Sequence, residues 1–196
     1  MTNVFAKHAL KRCYLILEKK GKDLIMKIIK ATQKDEATVF AFLDLTIRHT
    51  YGKEEISLGD DDPKDEISFK MAYFKSILNE KNAAFYLLFD PFLIGTISYK
   101  KVEGDILSLS QGAYKNEVEI GSVYVHPSYQ NKSYGKRLLI HVLHDLKAKN
   151  KRMFCLDCGY PKAQVIWTHL LGKPVIVDAH HFGKEKPLMI WHCDVD

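Results

Sequence analysis

A dense group of residues that could face an anion lies in the turn between a strand-like run and a helix-like run of "VYVHPSYQNKSYGKRLLIHVLHDL", residues 123–146. The group consists of Gln130, Asn131, Lys132, Ser133, Gly135, Lys136 and Arg137. A helix N-terminus presents unpaired N–H groups and the positive end of its dipole, which together attract phosphate. The alternative is an ordinary strand-to-helix turn that Ser133 or Asn131 caps. Composition alone therefore makes this turn a candidate phosphate site.

The order of the residues is more informative than their composition. It resembles the acetyl-CoA-binding segment of the GNAT N-acetyltransferase superfamily, in which V-x-V-x-P is followed by Gln or Arg, two residues, Gly, one residue, and Gly or Ala. The matching positions are Val123, Val125, Pro127, Gln130, Ser133 and Gly135. Ser133 departs from the pattern, because it stands where the family has its first glycine. The resemblance covers roughly residues 24–193.

The resemblance implies a site for acetyl-CoA, the expected co-substrate, and no metal. The strand ending at Val125 and the strand 152–157 would diverge, and the pantetheine arm would lie between them along the backbone of the first. The diphosphate would lie on the amides of 130–136, as in an anion nest. The cofactor-binding residues expected on this basis are Val123, Tyr124, Val125, Gln130, Asn131, Lys132, Ser133, Tyr134, Gly135 and Lys136.

Acetyl transfer to an amine needs a base, and related enzymes often place one on the strand that leads into the cofactor segment. Glu119 is the candidate general base, since strand alternation puts it on the same side as Val123 and Val125. The alternative is a carboxylate at a strand edge that faces water. His126 could also accept a proton, because its unperturbed pKa is near neutrality.

The acid that protonates the leaving thiolate is less well matched. Family members often show N-x-x-A, then a tyrosine four residues on, whereas "YPKAQVIWTHLLGK" has Trp167 at that place. An indole cannot donate a proton in this role, so Tyr160 is the remaining side-chain candidate. Protonation by solvent and unassisted departure of the thiolate are the alternatives.

The acceptor is expected to be a primary amine of a small molecule, a polyamine or a peptide. Residues 54–66 carry seven acids against the single cation Lys64 and could attract such an amine, although an ordinary solvated loop is the alternative. Neither nucleic acid nor a membrane is expected as a partner, because the lysines are spread along the whole chain and no apolar run reaches the roughly 18 residues of a membrane span. The composition predicts a cytoplasmic protein, and exposed closing strands would favour a homodimer.

The apolar patterns predict elements around these residues. Helices are expected in 1–20, 33–50, 63–80, 133–149 and 161–171, and strands in 24–32, 83–90, 92–100, 102–109, 117–125, 152–157, 174–179 and 187–195. The order predicts an α/β (α+β) fold with a central mixed, mostly antiparallel β-sheet and helices on both faces. We expect an N-terminal extension in 1–23 and one acetyltransferase domain in 24–196.

The function predicted is acetyl-CoA-dependent N-acetylation by direct attack of the amine in a ternary complex. The alternative is a GNAT-like domain that binds acyl-CoA as a sensor or interaction module, because Trp167 removes the usual acid. A third hypothesis, a metal-binding or nucleic-acid-binding regulator, depends on the net charge of +5 and on the pair Cys155 and Cys158. On a strand these two side chains point to opposite faces, which argues against a shared metal.

Overall fold

The computed structural model describes residues 26–54 and 62–196, with Glu54 described in its backbone only. The predicted helix in 1–20, the predicted domain boundary at residue 23 and the acids of 55–61 lie outside these residues.

Seven strands and five α-helices occupy the described part of the chain. The strands are β1 (Lys27–Lys30), β2 (Ala84–Phe89), β3 (Leu93–Lys101), β4 (Val118–Val125), β5 (Met153–Cys158), β6 (Ile176–Asp178) and β7 (Leu188–Asp194). The helices are α1 (Glu36–Glu54), α2 (Pro63–Leu78), α3 (Gly104–Leu109), α4 (Tyr134–Ala148) and α5 (Pro161–Leu171).

Most predicted elements are confirmed, with end points shifted by a few residues. The predicted strand in 102–109 is wrong, because most of that segment is helix α3. Gly104 has a φ of 53°, which turns the chain out of the extended conformation after β3. The short apolar run Ile106–Leu107 fits either period, so a pattern of this length cannot separate strand from helix.

Local signals explain where two of the helices begin. Helix α2 starts after Asp62, whose Oδ1 accepts a 2.9 Å hydrogen bond from the backbone N–H of Lys64. Proline occupies the first turn of both α2 and α5, where its missing N–H costs nothing.

The strands form one sheet in the order β1-β2-β3-β4-β5-β7-β6. The pairs β1–β2, β2–β3, β5–β7 and β6–β7 are antiparallel. The predicted mixed, mostly antiparallel sheet in an α/β fold is therefore confirmed. No helix of residues 26–54 and 62–196 has the length and apolar content needed to cross a bilayer.

The chain groups into two compact units. Of the described residues, 26–54, 62–101 and 120–142 form the first unit, and 102–119 and 143–196 form the second. In the first unit, adjacent residues of β2 pack against helices on opposite faces of the sheet. Phe85 packs edge-on against Phe74 of α2 at 4.9 Å between ring centroids, whereas Tyr86 packs edge-on against His141 of α4 at 4.7 Å. Helices thus cover both faces of the sheet in this unit.

The second unit has α3 and α5 beside β5 and β7. Ile106 of α3 shares a buried apolar cluster with Cys155 and Ile190. The neighbouring Trp191 is also fully buried, and its indole N–H donates a 2.9 Å hydrogen bond to the carbonyl of Gly172, directly after α5. Adjacent residues of β7 therefore contact α3 and the residue directly after α5.

Candidate cofactor-binding site

The segment predicted to bind acetyl-CoA lies entirely in the first unit. Strand β4 ends at Val125, a 3-10 turn covers Pro127–Tyr129, and α4 begins at Tyr134. The carbonyl of Ser133 accepts from the N–H of Arg137 at 3.0 Å, which is the first turn of the helix. Tyr134 and Gly135 begin α4, and the N–H groups at the start of an α-helix precede its first i→i−4 hydrogen bond.

The backbone of the loop is left-handed at two residues. Asn131 has a φ of 61° and Ser133 a φ of 62°. Asparagine visits this region readily, but a serine there carries a steric cost that glycine avoids. This conformation gives a physical reason for the glycine of the family pattern at the place of Ser133. In an anion nest, a left-handed residue helps to turn successive N–H groups toward one point.

Side chains of the loop form hydrogen bonds with backbone carbonyls just before it. The amide Nε2 of Gln130 donates to the carbonyl of Val125 at 3.3 Å, which joins the loop to the end of β4. Lys132 donates from Nζ to the carbonyl of Ser128 at 3.2 Å, and its ammonium lies 5.0 Å from the ring centroid of Tyr129. Lys132, Lys136 and Arg137 place positive charge near the helix N-terminus, and its first turn carries no acid.

A glycine allows α4 to lie close to the sheet. A Cβ added at Gly95 of β3 would lie 2.9 Å from Cδ1 of Leu138 and 3.3 Å from the carbonyl oxygen of Tyr124. At Gly135 the nearest atom would be Cγ2 of Val125, at 3.8 Å, which is an ordinary contact. The position of α4 beside β4 therefore depends on Gly95 more than on Gly135.

Strand β4 is distorted just before the cofactor residues. Ser122 has a φ of 49°, a backbone conformation typical of a β-bulge. The hydroxyl of Thr96 donates to the carbonyl of Ser122 at 2.9 Å, and that of Ser98 to the carbonyl of Gly121 at 3.0 Å. A left-handed residue interrupts the two-residue period, so alternation alone no longer places Glu119 on the side of Val123.

Two side chains near the end of β4 are already engaged. The hydroxyl of Tyr124 donates to Oε1 of Glu66 in α2 at 2.9 Å. His126 accepts from the backbone N–H of Ser128 at Nδ1, at 3.2 Å, and therefore caps the 3-10 turn. A capping role for His126 competes with the role of base considered from the sequence.

Glu119, the predicted base, belongs to the second unit and is half-buried. Its carboxylate lies near the thiol of Cys155. Burial, followed by the negative charges of Glu117 and Glu119, raises the pKa of Cys155 to about 12. This thiol is therefore neutral and unreactive at physiological pH.

Tyr160, the predicted acid, is the N-cap residue of α5 in the second unit. Its carbonyl accepts from the thiol of Cys158 at 3.7 Å. The preceding Gly159 is closely packed, since an added Cβ would lie 2.5 Å from Cε2 of Phe182. Trp167 is buried on α5, at 7% exposure, so it serves the core of this unit.

The described residues contain no group of three or more His, Cys, Asp or Glu side chains that could hold a metal ion. Cys155 and Cys158 are buried free cysteines.

Sequence reasoning missed Asp90 and Glu66 as partners of the segment. The hydroxyl of Tyr134 donates to Oδ2 of Asp90 at 3.2 Å, across 44 residues of sequence. Glu66 was noted only as one of seven acids. No local pattern predicts either bond, because each partner lies on a distant element.

Solved structures share this fold. YncA from Salmonella typhimurium, with its cofactor acetyl-CoA, is 18% identical and aligns over 88% of this chain and 95% of its own, with a TM-score of 0.59. PaiA N-acetyltransferase from Thermoplasma acidophilum, in complex with coenzyme A, is 19% identical over 87% and 99%, with a TM-score of 0.62. An acetyltransferase of the GNAT family from Staphylococcus aureus Mu50 is 15% identical over 88% and 100%, with a TM-score of 0.62. A sequence comparison with curated proteins gave no significant match.

A match to a family model shows that the chain is an acyltransferase. The model of the acetyltransferase (GNAT) family matches residues 45–166, and the chain belongs to that family. Its enzymes use acetyl-CoA as co-substrate.

Proposed function

We propose that this protein is an acetyl-CoA-dependent N-acetyltransferase that acetylates a primary amine by direct attack in a ternary complex. The observation that carries the proposal is the left-handed Ser133 directly before the N-terminus of α4. A loop of this shape presents several N–H groups to one anion, and a diphosphate is such an anion. The name of the similar PaiA N-acetyltransferase supports an amine as the acceptor.

The chain supplies binding surfaces of two kinds. The amides of residues 130–136, with the cations Lys132 and Lys136, bind the diphosphate. The backbone of Val123, Tyr124 and Val125 binds the pantetheine arm as an added strand would be bound. The side chains contribute shape and charge, whereas the main chain contributes most of the hydrogen bonds.

The co-substrate supplies a thioester whose carbonyl carbon the neutral amine attacks. Glu119 takes the proton of the amine, directly or through water, since a positioned carboxylate serves as a general base. Tyr160 is the remaining side-chain candidate for protonating the leaving thiolate. Trp167 does not take this role, because its indole N–H is not acidic enough.

A thermal-shift measurement with coenzyme A, acetyl-CoA and pantetheine tests the binding site. Stabilisation should reach about 2.7 kcal/mol at a ligand concentration of 100 times Kd. Pantetheine lacks the diphosphate and should stabilise far less. Release of free thiol in the presence of polyamines, aminoglycosides or peptides then tests turnover and identifies the acceptor class.

Two variants of Gly135 provide a matched control. Gly135→Ala has room for its Cβ and satisfies the family pattern, so it should retain stabilisation by coenzyme A. Gly135→Val adds two methyl groups beside the proposed diphosphate and should lose the stabilisation by coenzyme A. Absence of any coenzyme A-dependent stabilisation in the wild-type protein would refute the proposal, and stabilisation without thiol release on any amine would favour the acyl-CoA-binding module instead.

A further inference from the structure

The turn between β2 and β3 contacts both ends of the loop of residues 130–133, which leads into α4 and carries part of the proposed diphosphate site. The hydroxyl of Tyr134, directly after the loop, donates to Oδ2 of Asp90 at 3.2 Å. The ring of Tyr129, directly before the loop, packs edge-on against Phe92 at 5.5 Å between centroids. The N–H of Asp90 donates to the carbonyl of Phe92 at 2.9 Å, which ties the two contacts together in one turn.

The loop between these contacts needs support. Ser133 has a φ of 62°, and a side chain with a Cβ is sterically disfavoured in that region. Disfavoured backbone conformations persist only where the surrounding structure holds them. Tyr134 follows Ser133 in the chain, so a fixed Tyr134 side chain restricts the path that the backbone can take through Ser133.

Tyr134 is well fixed. Its ring lies 5.9 Å from that of Tyr129, and the guanidinium carbon of Arg137 lies 5.4 Å from its centroid. Burial, followed by the hydrogen bond to Asp90, raises the pKa of Tyr134 above its ordinary value. The hydroxyl is therefore protonated at neutral pH and available to donate to the carboxylate.

We propose that Asp90 is a positioning residue for acetyl-CoA. Through the hydroxyl of Tyr134, it holds Ser133 in the left-handed conformation that turns the loop amides toward one diphosphate. The inference rests on the proposed function, because it assigns a support to the same loop. Asp90 acts through Tyr134 and the reacting atoms lie elsewhere, so it affects the affinity for the co-substrate rather than the chemical step.

The negative charge of Asp90, taken alone, predicts the opposite effect on the affinity for coenzyme A. A carboxylate near an anion site repels the anion, so its removal would tighten binding if charge dominated. Asp90→Ala removes both the charge and the hydrogen-bond acceptor, whereas Asp90→Asn removes the charge and keeps an acceptor oxygen. Tyr134→Phe removes only the donor hydroxyl, and it tests the same bond if Asp90→Ala fails to fold.

The experiment compares these variants by calorimetric titration with coenzyme A and by steady-state kinetics. Asp90→Ala and Tyr134→Phe should raise Kd for coenzyme A and KM for acetyl-CoA by about 3- to 10-fold, the range of one lost hydrogen bond, with kcat unchanged. Asp90→Asn should keep Kd for coenzyme A and KM for acetyl-CoA within about 2-fold of the wild-type values. Asp44→Ala, which removes an aspartate ion-paired with Arg48 at 2.7 Å on α1, is the matched control and should change nothing.

A rescue distinguishes this role from a general loss of structure. Glycine adopts a positive φ without a steric cost, so in a Ser133→Gly background Asp90→Ala should raise KM by less than about 2-fold. An equal rise in KM in the wild-type and Ser133→Gly backgrounds would overturn the proposal. Wild-type affinity for coenzyme A in both Asp90→Ala and Tyr134→Phe would also overturn it, as would tighter binding by both Asp90 variants. Failure of the wild-type protein to bind coenzyme A would instead refute the proposed function, and this inference with it.

Discussion

The hydroxyl of Tyr124 on β4 donates a 2.9 Å hydrogen bond to Oε1 of Glu66 on α2, across 58 residues of sequence. Tyr124 lies between Val123 and Val125, whose backbone we propose to bind the pantetheine arm. The carboxylate of Glu66 therefore lies one tyrosine side chain away from the strand along which the thioester would lie. A half-buried carboxylate at this distance is suited to attract a cationic amine.

Glu66→Gln should raise KM for a cationic amine several-fold and leave KM for acetyl-CoA unchanged. The glutamine keeps an acceptor for the Tyr124 hydroxyl, so only the charge is lost. Steady-state kinetics with each substrate varied in turn measures the difference. Tyr124→Phe, which keeps the carboxylate, is the control and should have the smaller effect on the amine. Equal increases in both KM values would contradict a charge effect on the acceptor.

Gly95→Ala should destabilise the protein by about 1–3 kcal/mol, the usual cost of overpacking. The added Cβ would lie 2.9 Å from Cδ1 of Leu138 and 3.3 Å from the carbonyl oxygen of Tyr124, so the Leu138 side chain and the β4 backbone would have to shift away from Gly95. KM for acetyl-CoA should rise as well, because both elements carry the proposed site. Urea unfolding and steady-state kinetics measure the two effects.

Gly52→Ala is the matched control for this substitution. Its Cβ would have no neighbour within 4 Å, and Gly52 lies in helix α1, where alanine is the better helix former. It should therefore stabilise the protein by about 0.5–1 kcal/mol. A Gly95→Ala variant as stable as Gly52→Ala would show that α4 does not need to lie close to Gly95 of β3.

Much of the fold could be predicted from local patterns. Helix α5 occupies 161–171 as predicted, because Pro161 marks its start and Gly172, with a φ of 88°, marks its end. The predicted apolar face of α4 is buried from Leu138 to Leu146. The predicted strand in 102–109 failed because six residues of helix bury only Ile106, too little to show a period.

The turn that carries the candidate site was predictable in position, whereas the side chains that support it were not. The order of residues from Val123 to Gly135 located the loop, since that pattern is local. The bonds of Asp90 and Glu66 join elements that only the folded chain brings together. The left-handed conformation of Ser122 could not be predicted either, because a serine inside a strand pattern does not indicate a positive φ.

The thiols of the buried Cys155 and the half-buried Cys193 predict how stability depends on pH. Burial raises the pKa of Cys155 to about 12 and that of Cys193 to about 11, above the value of 9.0 for an unperturbed thiol. A raised pKa means that folding favours the neutral thiol, so this stabilisation is complete below about pH 9 and is lost as pH rises toward 11 and 12. The free energy of unfolding should fall by up to about 1.4 kcal/mol per pH unit for each thiol in that interval. Urea titrations between pH 8 and pH 11 measure the slope.

Cys155→Ala should make that slope shallower, because one of the two thiols no longer titrates. Native protein at pH 8 should also leave Cys155 unmodified by iodoacetamide, whereas urea should expose it. Mass spectrometry of a Cys13→Ser background, which removes a thiol outside the described residues, gives the site-specific readout. Rapid alkylation of Cys155 in the native state would contradict its burial.

Glu119→Gln should lower kcat/KM by about 10²- to 10⁴-fold at neutral pH, the usual contribution of a general base. Glutamine cannot accept the proton of the amine. As the pH approaches the pKa of the acceptor amine, more of the amine is neutral in solution, so the deficit should shrink. A pH profile of kcat/KM for the variant and the wild type measures this convergence.

Glu117→Gln is the matched control for the base. Glu117 precedes β4, and its negative charge, like that of Glu119, helps to raise the pKa of Cys155, so both substitutions remove a charge from the same surroundings. Only Glu119 is proposed to accept a proton, so kcat/KM of Glu117→Gln should stay close to wild type at every pH. Equal losses in the two variants would assign the effect to the local charge, and an unchanged Glu119→Gln would exclude this residue as the base. Dissociation constants for coenzyme A should match in all three proteins, which separates proton transfer from binding.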